Sequence, residues 1–247
     1  MCLILIAYGG RVDMPLVVAA NRDEFYRRPA LPVHEWTENR QVLAGRDLEA
    51  GGTWLGVSTA GRFAAVTNQT DPTVQAPRSR GALTADFLRG ETSAAEYAAS
   101  IEGRRYRGFN LLLWDGDSLV YTSNRAPTQA LKPGIYGLAN AALGAEWPKV
   151  IRGRQGLARI LSDSPAPDAL IRLLADDSVP PDHELPDRGR GLEMERRIAP
   201  CFIRGDDYGT RASTAVIVSD TQVTIAEQLY GPDGQRGSRE ELTRVRT

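Results

Sequence analysis

Cysteine, histidine and lysine are nearly absent from this 247-residue sequence: it holds Cys2 and Cys201, His34 and His183, and only Lys132 and Lys149. Two cysteines make no disulfide framework, which points to a reducing compartment and hence to the cytoplasm. No CxxC, HxxxH or HExxH spacing occurs, so metal ligation fails on count. His34 lies in an irregular stretch and His183 in a proline-rich loop, and neither has a recognisable partner for a Cys–His pair. Gly51-Gly52 is followed by no Gly-Lys-Ser/Thr, which excludes a phosphate loop. Excess charge is missing too. The formal net charge is −1, no basic patch carries interleaved aromatics, and nothing recruits nucleic acid or an anionic membrane. Long apolar runs are lacking: none approaches the roughly 18 residues that cross a bilayer. The start is too short and too uncharged for a secretory leader, and Arg11 interrupts it.

What is present is an ordinary globular composition, 42% hydrophobic and 25% charged, enough for a sizeable core in one domain spanning 1–247. The polar tail over 231–247 is expected to be loosely ordered. Oligomeric state is not legible.

The first two dozen residues are the most informative. Cys2 to Tyr8 reads as a buried strand, Gly9 to Met14 as a turn, and Leu16 to Ala20 as a second buried strand ending in Asn21-Arg22-Asp23-Glu24. A hairpin closed near Tyr8 and Pro15 puts Cys2 opposite Asn21 within a residue or two. The thiol then faces a polar cluster. An initiator Met is normally trimmed before a small residue, and removal of Met1 would give Cys2 both a thiol and a free α-amine. Reference pKa values of about 7.7–8.0 for the amine and about 8.5 for the thiol make the amine a competent proton acceptor at neutral pH. Nucleophile and base then share one residue, a known variant of the catalytic triad. The alternative is that Cys2 is the small apolar first residue of a strand, with Arg22 paired to a carboxylate simply to pin the strand end.

Further along, Pro29 to Arg46 reads as an irregular connection with at most a short strand at Gln41 to Ala44. Thr53 to Ser58 and Arg62 to Thr67 form a hairpin, and Asn68 closes its second strand, either at a site or as a turn former before Asp71-Pro72. Residues 81–102 carry two apolar stripes at helical spacing, with Ser93 and Glu96 as a capping box. Strands follow at Phe109 to Trp114, Ser118 to Asn124 and Ile135 to Ala139, the last ending at Asn140. Helices are expected over Lys149 to Leu161 and Asp168 to Ala175, a surface loop over Val179 to Gly191, and a final hairpin over Thr214 to Val218 and Gln222 to Tyr230. Paired helices between antiparallel strands predict an α+β fold, two stacked sheets with helices on each outer face.

The segment Leu16 to Pro29, with Gly51 to Ser58, Ala65-Val66-Thr67-Asn68, Tyr208-Gly209-Thr210-Arg211 and the Met1-Cys2 start, resembles the NRDE family, also called the transport and Golgi organisation family. The resemblance runs over most of the chain. It implies a four-layer αββα sandwich similar to the N-terminal nucleophile hydrolases, especially the cysteine acylases of the bile-salt hydrolase and penicillin V acylase group. It also implies links to haem mobilisation and to acyl-CoA or lipid handling.

By that resemblance Cys2 is nucleophile and base, Asn140 resembles the oxyanion-hole asparagine, Asn68 the second site asparagine, and Arg211 a late arginine favouring thiolate. For Asn140 and Arg211 the plain alternatives are a strand stop and a surface ion pair. The acylases carry Arg and Asp three residues apart after the second strand. Here the chain departs from that pattern: Asn21 and Glu24 hold the spacing with Arg22 and Asp23 between them, and the resemblance does not fix which of Asp23 and Glu24 takes the amine-holding role. Two functions remain in view. One is hydrolysis of a small amide or acyl thioester through Cys2, with no cofactor required. The other is a carrier in which the same cleft, through arginines such as Arg22, binds haem or an acyl-CoA-like ligand without turnover.

Overall fold

The computed structural model describes residues 2–69 and 76–247; the initiator Met1 and the expected turn at Asp71-Pro72 lie outside the described residues. The chain opens on β1 (Cys2–Tyr8) and β2 (Leu16–Phe25), an antiparallel pair in which Cys2 sits opposite Arg22, one residue beyond the expected partner. Gly9, at φ 63°, makes the turn. Strict period-two alternation gives the pair two buried faces. Leu3, Leu5, Ala7, Val17 and Ala19 pack towards helices. Ile4, Ile6, Leu16, Val18 and Ala20 pack towards the second sheet.

Pro29 to Arg46 is not irregular. It contains β3 (Ala30–Trp36) and β4 (Asn39–Asp47), followed by β5 (Leu55–Ser58) and β6 (Phe63–Asn68). The sequence hid β3 because it carries a proline and its register slips between Leu31 and His34, blurring the alternation. Then come α1 (Arg80–Arg89) and α2 (Ala94–Ser100), the latter started by the expected Ser93–Glu96 capping box. Next are β7 (Phe109–Trp114), β8 (Leu119–Ser123), β9 (Gln129–Leu131) and β10 (Gly134–Leu138). Helices α3 (Pro148–Leu161) and α4 (Pro167–Leu173) fall where helical spacing put them. A short helix, α5 (Leu192–Ile198), follows the charged loop. The chain ends on β11 (Tyr208–Val218), β12 (Gln222–Tyr230) and β13 (Arg236–Val245).

The strands form two antiparallel sheets, ordered β10-β1-β2-β11-β12-β13 and β3-β4-β5-β6-β7-β8-β9. One apolar cluster fills the space between them. A second packs α1 and α2 on the outer face of the seven-stranded sheet, and a third packs α3 and α4 on the outer face of the six-stranded one. The result is the αββα sandwich. The tail is not loose: β13 pairs with β12 from Gln222↔Val245 to Tyr230↔Arg236. Its polar, alternating sequence suits an edge strand with one wet face. Among the described residues no helix is long and apolar enough to cross a membrane.

Between the sheets lies a buried carboxyl. Glu227 accepts from the Val33 N–H at 2.9 Å and the Thr214 hydroxyl at 3.1 Å, tying β12 to β3. Burial pushes its pKa up to about 7. A raised carboxyl binds a proton in the fold that the unfolded chain has already released, so its stabilisation is full below the ordinary carboxylate pKa and is lost as pH rises to about 7. Replacing Glu227 with Gln removes the titration. Denaturant unfolding of wild type and Glu227→Gln from pH 4 to 8 is expected to show their stability difference moving in favour of the variant, by a few kcal/mol, across that window. A pH-independent difference would contradict the buried protonated acid.

Candidate active site

The site lies at the end of the sandwich where β1 begins and β2 ends. By the alternation of β1, Cys2 falls on the face turned to the second sheet, and by that of β2 so does Arg22. Cys2 is half-buried, Arg22 buried. Arg22 donates to the Asp47 carboxylate at 2.9 Å and stacks over Trp54, 4.0 Å from the ring centroid. Asp47 also accepts from Arg28 at 2.7 Å and from the backbone N–H groups of Glu49 and Ala50. Burial works to raise the Asp47 pKa, but the Arg28 hydrogen bond, the Ala50 N–H and the two cations together hold it below its ordinary value. Burial and the neighbouring Arg211 pull Arg22 down, yet a guanidinium remains charged. The expected alternative, Arg22 paired to a carboxylate at the strand end, is therefore real as geometry.

Cys2 N–H donates to Asn140 Oδ1 at 2.8 Å, and Asn140 Nδ2 donates to the Asn68 carbonyl at 2.7 Å. Asn140 thus bridges the sheets directly beside Cys2. It is held there because the adjoining chain is stapled to the other sheet: the Thr67 hydroxyl donates to Ala139 O at 2.8 Å and Asn110 Nδ2 to Ala141 O at 2.9 Å. In this arrangement Asn140 grips the backbone of Cys2 with its oxygen, and among the described residues one of its two N–H bonds has no acceptor.

The four-residue cluster divides by strand parity. Asp23 turns to the helix face, is buried, accepts from the Thr210 hydroxyl at 2.7 Å and has its pKa raised, chiefly by burial. The field of Lys149, an ammonium buried on α3 and bonded to Ile198 O at 3.0 Å, opposes that rise. The charge of Asp23 opposes the Cys2 thiolate more than the Asp23 backbone N–H favours it. Between Asp23 and Glu24, Asp23 is the carboxylate within the electrostatic reach of Cys2, while the half-exposed Glu24 lines the cleft and accepts from the Phe25 N–H.

Asn21 is a correction. Its side chain points among α4, β11 and Cys201, donating to Leu174 O at 3.0 Å and Cys201 O at 2.8 Å and accepting from Ser213 at 2.6 Å. The one-residue difference in register puts it on the opposite face from Cys2. Arg211 occupies the bulge where β11 slips against β2 between Thr210 and Ala212. It donates to the carbonyls of Phe25 and Arg28, bracing the turn after β2. Its charge reaches the site through Arg22 rather than by contact with the thiol.

A cleft of about 190 Å³ opens over Cys2, lined among others by Arg22, Asp23, Trp54, Asn68, Arg80 and Arg107. Sequence reasoning missed Arg80 and Arg107. Among the described residues neither has a carboxylate partner; Arg80 donates to Gly108 O at 3.1 Å. The signal available was the basic Arg78-Ser79-Arg80 run ahead of α1, docked here because Gly52 and Gly81 meet backbone to backbone. A Cβ on Gly52 would lie 2.3 Å from the Gly81 carbonyl carbon. Burial is the main influence on the Cys2 thiol and raises its pKa, against the pull of Arg22. A thiol so placed needs a proton acceptor to become a nucleophile. Cys201, buried under the helices, is pushed up by burial to about 12 and is inert. No group of three or more His, Cys, Asp or Glu is arranged to hold a metal among the described residues.

Stacked antiparallel sheets between helix layers, with a cysteine at the head of an inner strand, define an N-terminal nucleophile hydrolase-like fold. Two solved structures support it. An N-acylethanolamine-hydrolyzing acid amidase ortholog from Caenorhabditis elegans aligns at TM-score 0.52 and 10% identity, covering 87% of this chain and 92% of its own. The C2A mutant of the conjugated bile acid hydrolase from Clostridium perfringens aligns at TM-score 0.53 and 7% identity, covering 100% and 97%. Within that class the chain belongs to the Transport and Golgi organisation 2 family, whose model matches residues 1–232. The Transport and Golgi organization protein 2 homolog of Bos taurus is 37% identical over 264 residues, covering 96% of both chains. That of Homo sapiens is 36% identical, covering 92% of both, and the Drosophila melanogaster protein is 30% identical, covering 88% and 87%.

The division of the cluster is testable. Asn21→Ala removes the amide partner of two buried carbonyls and the acceptor of the Ser213 hydroxyl, and is expected to cost about 2 kcal/mol or more in denaturant unfolding. Cys2 alkylation by iodoacetamide, followed by mass spectrometry, should keep its wild-type rate in the folded variant. A slowed Cys2 with unchanged stability would return Asn21 to the chemistry.

Proposed function

We propose that the protein is a cysteine N-terminal nucleophile hydrolase acting in the cytoplasm on a small amide or acyl thioester through Cys2. The observation that carries this reading is the anchoring of the Cys2 backbone nitrogen by Asn140 at the lip of a cleft. Once Met1 is removed that nitrogen is an α-amine. It takes the thiol proton as Sγ attacks the substrate carbonyl, forming an S–C bond. The free Asn140 N–H supports the oxyanion. The α-ammonium returns its proton to the departing amine or thiol as the C–N or C–S bond breaks. Water, deprotonated by the same amine, then cleaves the acyl-cysteine to release a carboxylic acid. Asp23, buried beside Cys2, stabilises the transient ammonium. The solved neighbours, one named an acid amidase and one a conjugated bile acid hydrolase, support the reading at the level of fold.

A second reading is favoured by Arg80 and Arg107, cations at the cleft without carboxylate partners among the described residues: a carrier that grips the propionates of haem or the phosphates of an acyl-CoA without turnover.

One set of measurements separates them. Intact mass is expected to show Met1 removed, and Cys2→Ala to lower hydrolysis of a fluorogenic decanoyl amide by about a thousandfold or more. Retained Met1, or full activity in Cys2→Ala, removes the proposed mechanism. Under the carrier reading, haem added to micromolar protein shifts its Soret band; no shift removes haem.

A further inference from the structure

A second hollow, of about 390 Å³, shares Asn68 with the Cys2 cleft and lies between α5 and the paired ends of β2 and β11. Its apolar lining comes from Phe25, Met194, Ile198 and Tyr208. Phe25 and Met194 are 41% and 39% exposed, large apolar side chains kept in water at the same opening. Phe25 and Tyr208 meet edge to face with ring centroids 5.1 Å apart. The charged members, Arg190, Arg197 and Asp207, are all exposed. Exposed apolar surface gathered around one hollow, with charge at its exposed margin, marks a ligand site rather than scattered surface carbon.

Two hydrogen bonds and one shared lining residue connect this hollow to the strand ends around Cys2. Asn140 lines it and holds Cys2 N at 2.8 Å. Tyr208 lines it, and its hydroxyl donates to Asp23 O at 3.2 Å. Asn68 lines both spaces. Asn140 and Asn68 therefore stand between the arginine-lined cleft over Cys2 and the apolar hollow.

We propose that this hollow is the acyl-chain subsite of the Cys2 site and takes an unbranched apolar chain, with the leaving group in the arginine-lined cleft. The inference rests on the hydrolase reading and adds the substrate's apolar half to it. Volume near 400 Å³ lies in the range of small-ligand pockets. Methionine's unbranched, adaptable side chain suits a flexible alkyl partner better than a rigid ring system. Chain specificity then resides in Met194, Phe25 and Ile198, none of which touches the reacting atoms.

The test uses the full chain with Cys2→Ala, labelled with ¹³C at the methionine methyls, and neutral decanamide as probe. Saturable shifts of the Met194 methyl, with the Met14 methyl unmoved, are expected. Met194→Asp and Phe25→Asp, both at exposed positions, should each weaken decanamide binding by about tenfold or more. An unmoved Met194 methyl up to the solubility limit, or binding indifferent to both aspartates, overturns the subsite. Hydrolysis of acetyl and decanoyl amides by the wild type is read alongside. Met194 shifts without any hydrolysis keep the apolar site and remove the enzyme. Hydrolysis without chain-length preference and without Met194 shifts keeps the enzyme and removes the subsite.

Discussion

The contact on which the site depends is the carboxylate of Asp47, held between Arg22 from one sheet and Arg28 from the turn that leads to the other. Arg22 is buried and Asp47 is its carboxylate partner, so loss of Asp47 leaves an uncompensated buried charge, which costs about 3–5 kcal/mol. That obligation fixes the distance between the sheets at the end where β1 starts. Trp54 packs under the guanidinium, Arg211 braces the turn, and Asn140 closes the other side of Cys2. The Asn-Arg-Asp-Glu cluster is thus mainly a clasp between two layers, and the thiol lies where the clasp shuts.

The electrostatics of that thiol are a contest. Burial favours the neutral form, while Arg22 favours the thiolate. The same contest at Cys201 is lost to burial, despite the field of Lys149. The difference is access: Cys2 lines an open cleft and Cys201 lies under α4. Burial holds the Cys2 thiol above its ordinary pKa even where it lines the open cleft.

Much of the architecture was legible because buried strands and paired helices announce themselves by period. The β1–β2 hairpin, the capping box at Ser93, α3, α4 and the last hairpin follow directly from alternation and spacing. Strands with a slipped register or a wet face were not: β3 hides behind a proline and an irregular pairing, and β13 reads as a polar tail because its alternation is between charges. In the site, residue types were legible and directions were not. A hairpin placed to within one residue still assigns every side chain to the wrong face, and Asn21 fell on the far side for that reason. Arg80, at the start of α1, and Arg107, just ahead of β7, reach the Cys2 cleft only through tertiary packing, which no local pattern encodes.

The last strand changes what its neighbour presents to the outside. Without β13, the backbone of β12 from Gln222 to Tyr230 would become an open rim, with Val223, Ile225 and Ala226 just beneath it. Such a rim is a template on which a second molecule can add its own strand and begin to aggregate. The charged tail serves as a permanent cover over that seam, and a chain clipped after the last turn would trade solubility for self-association.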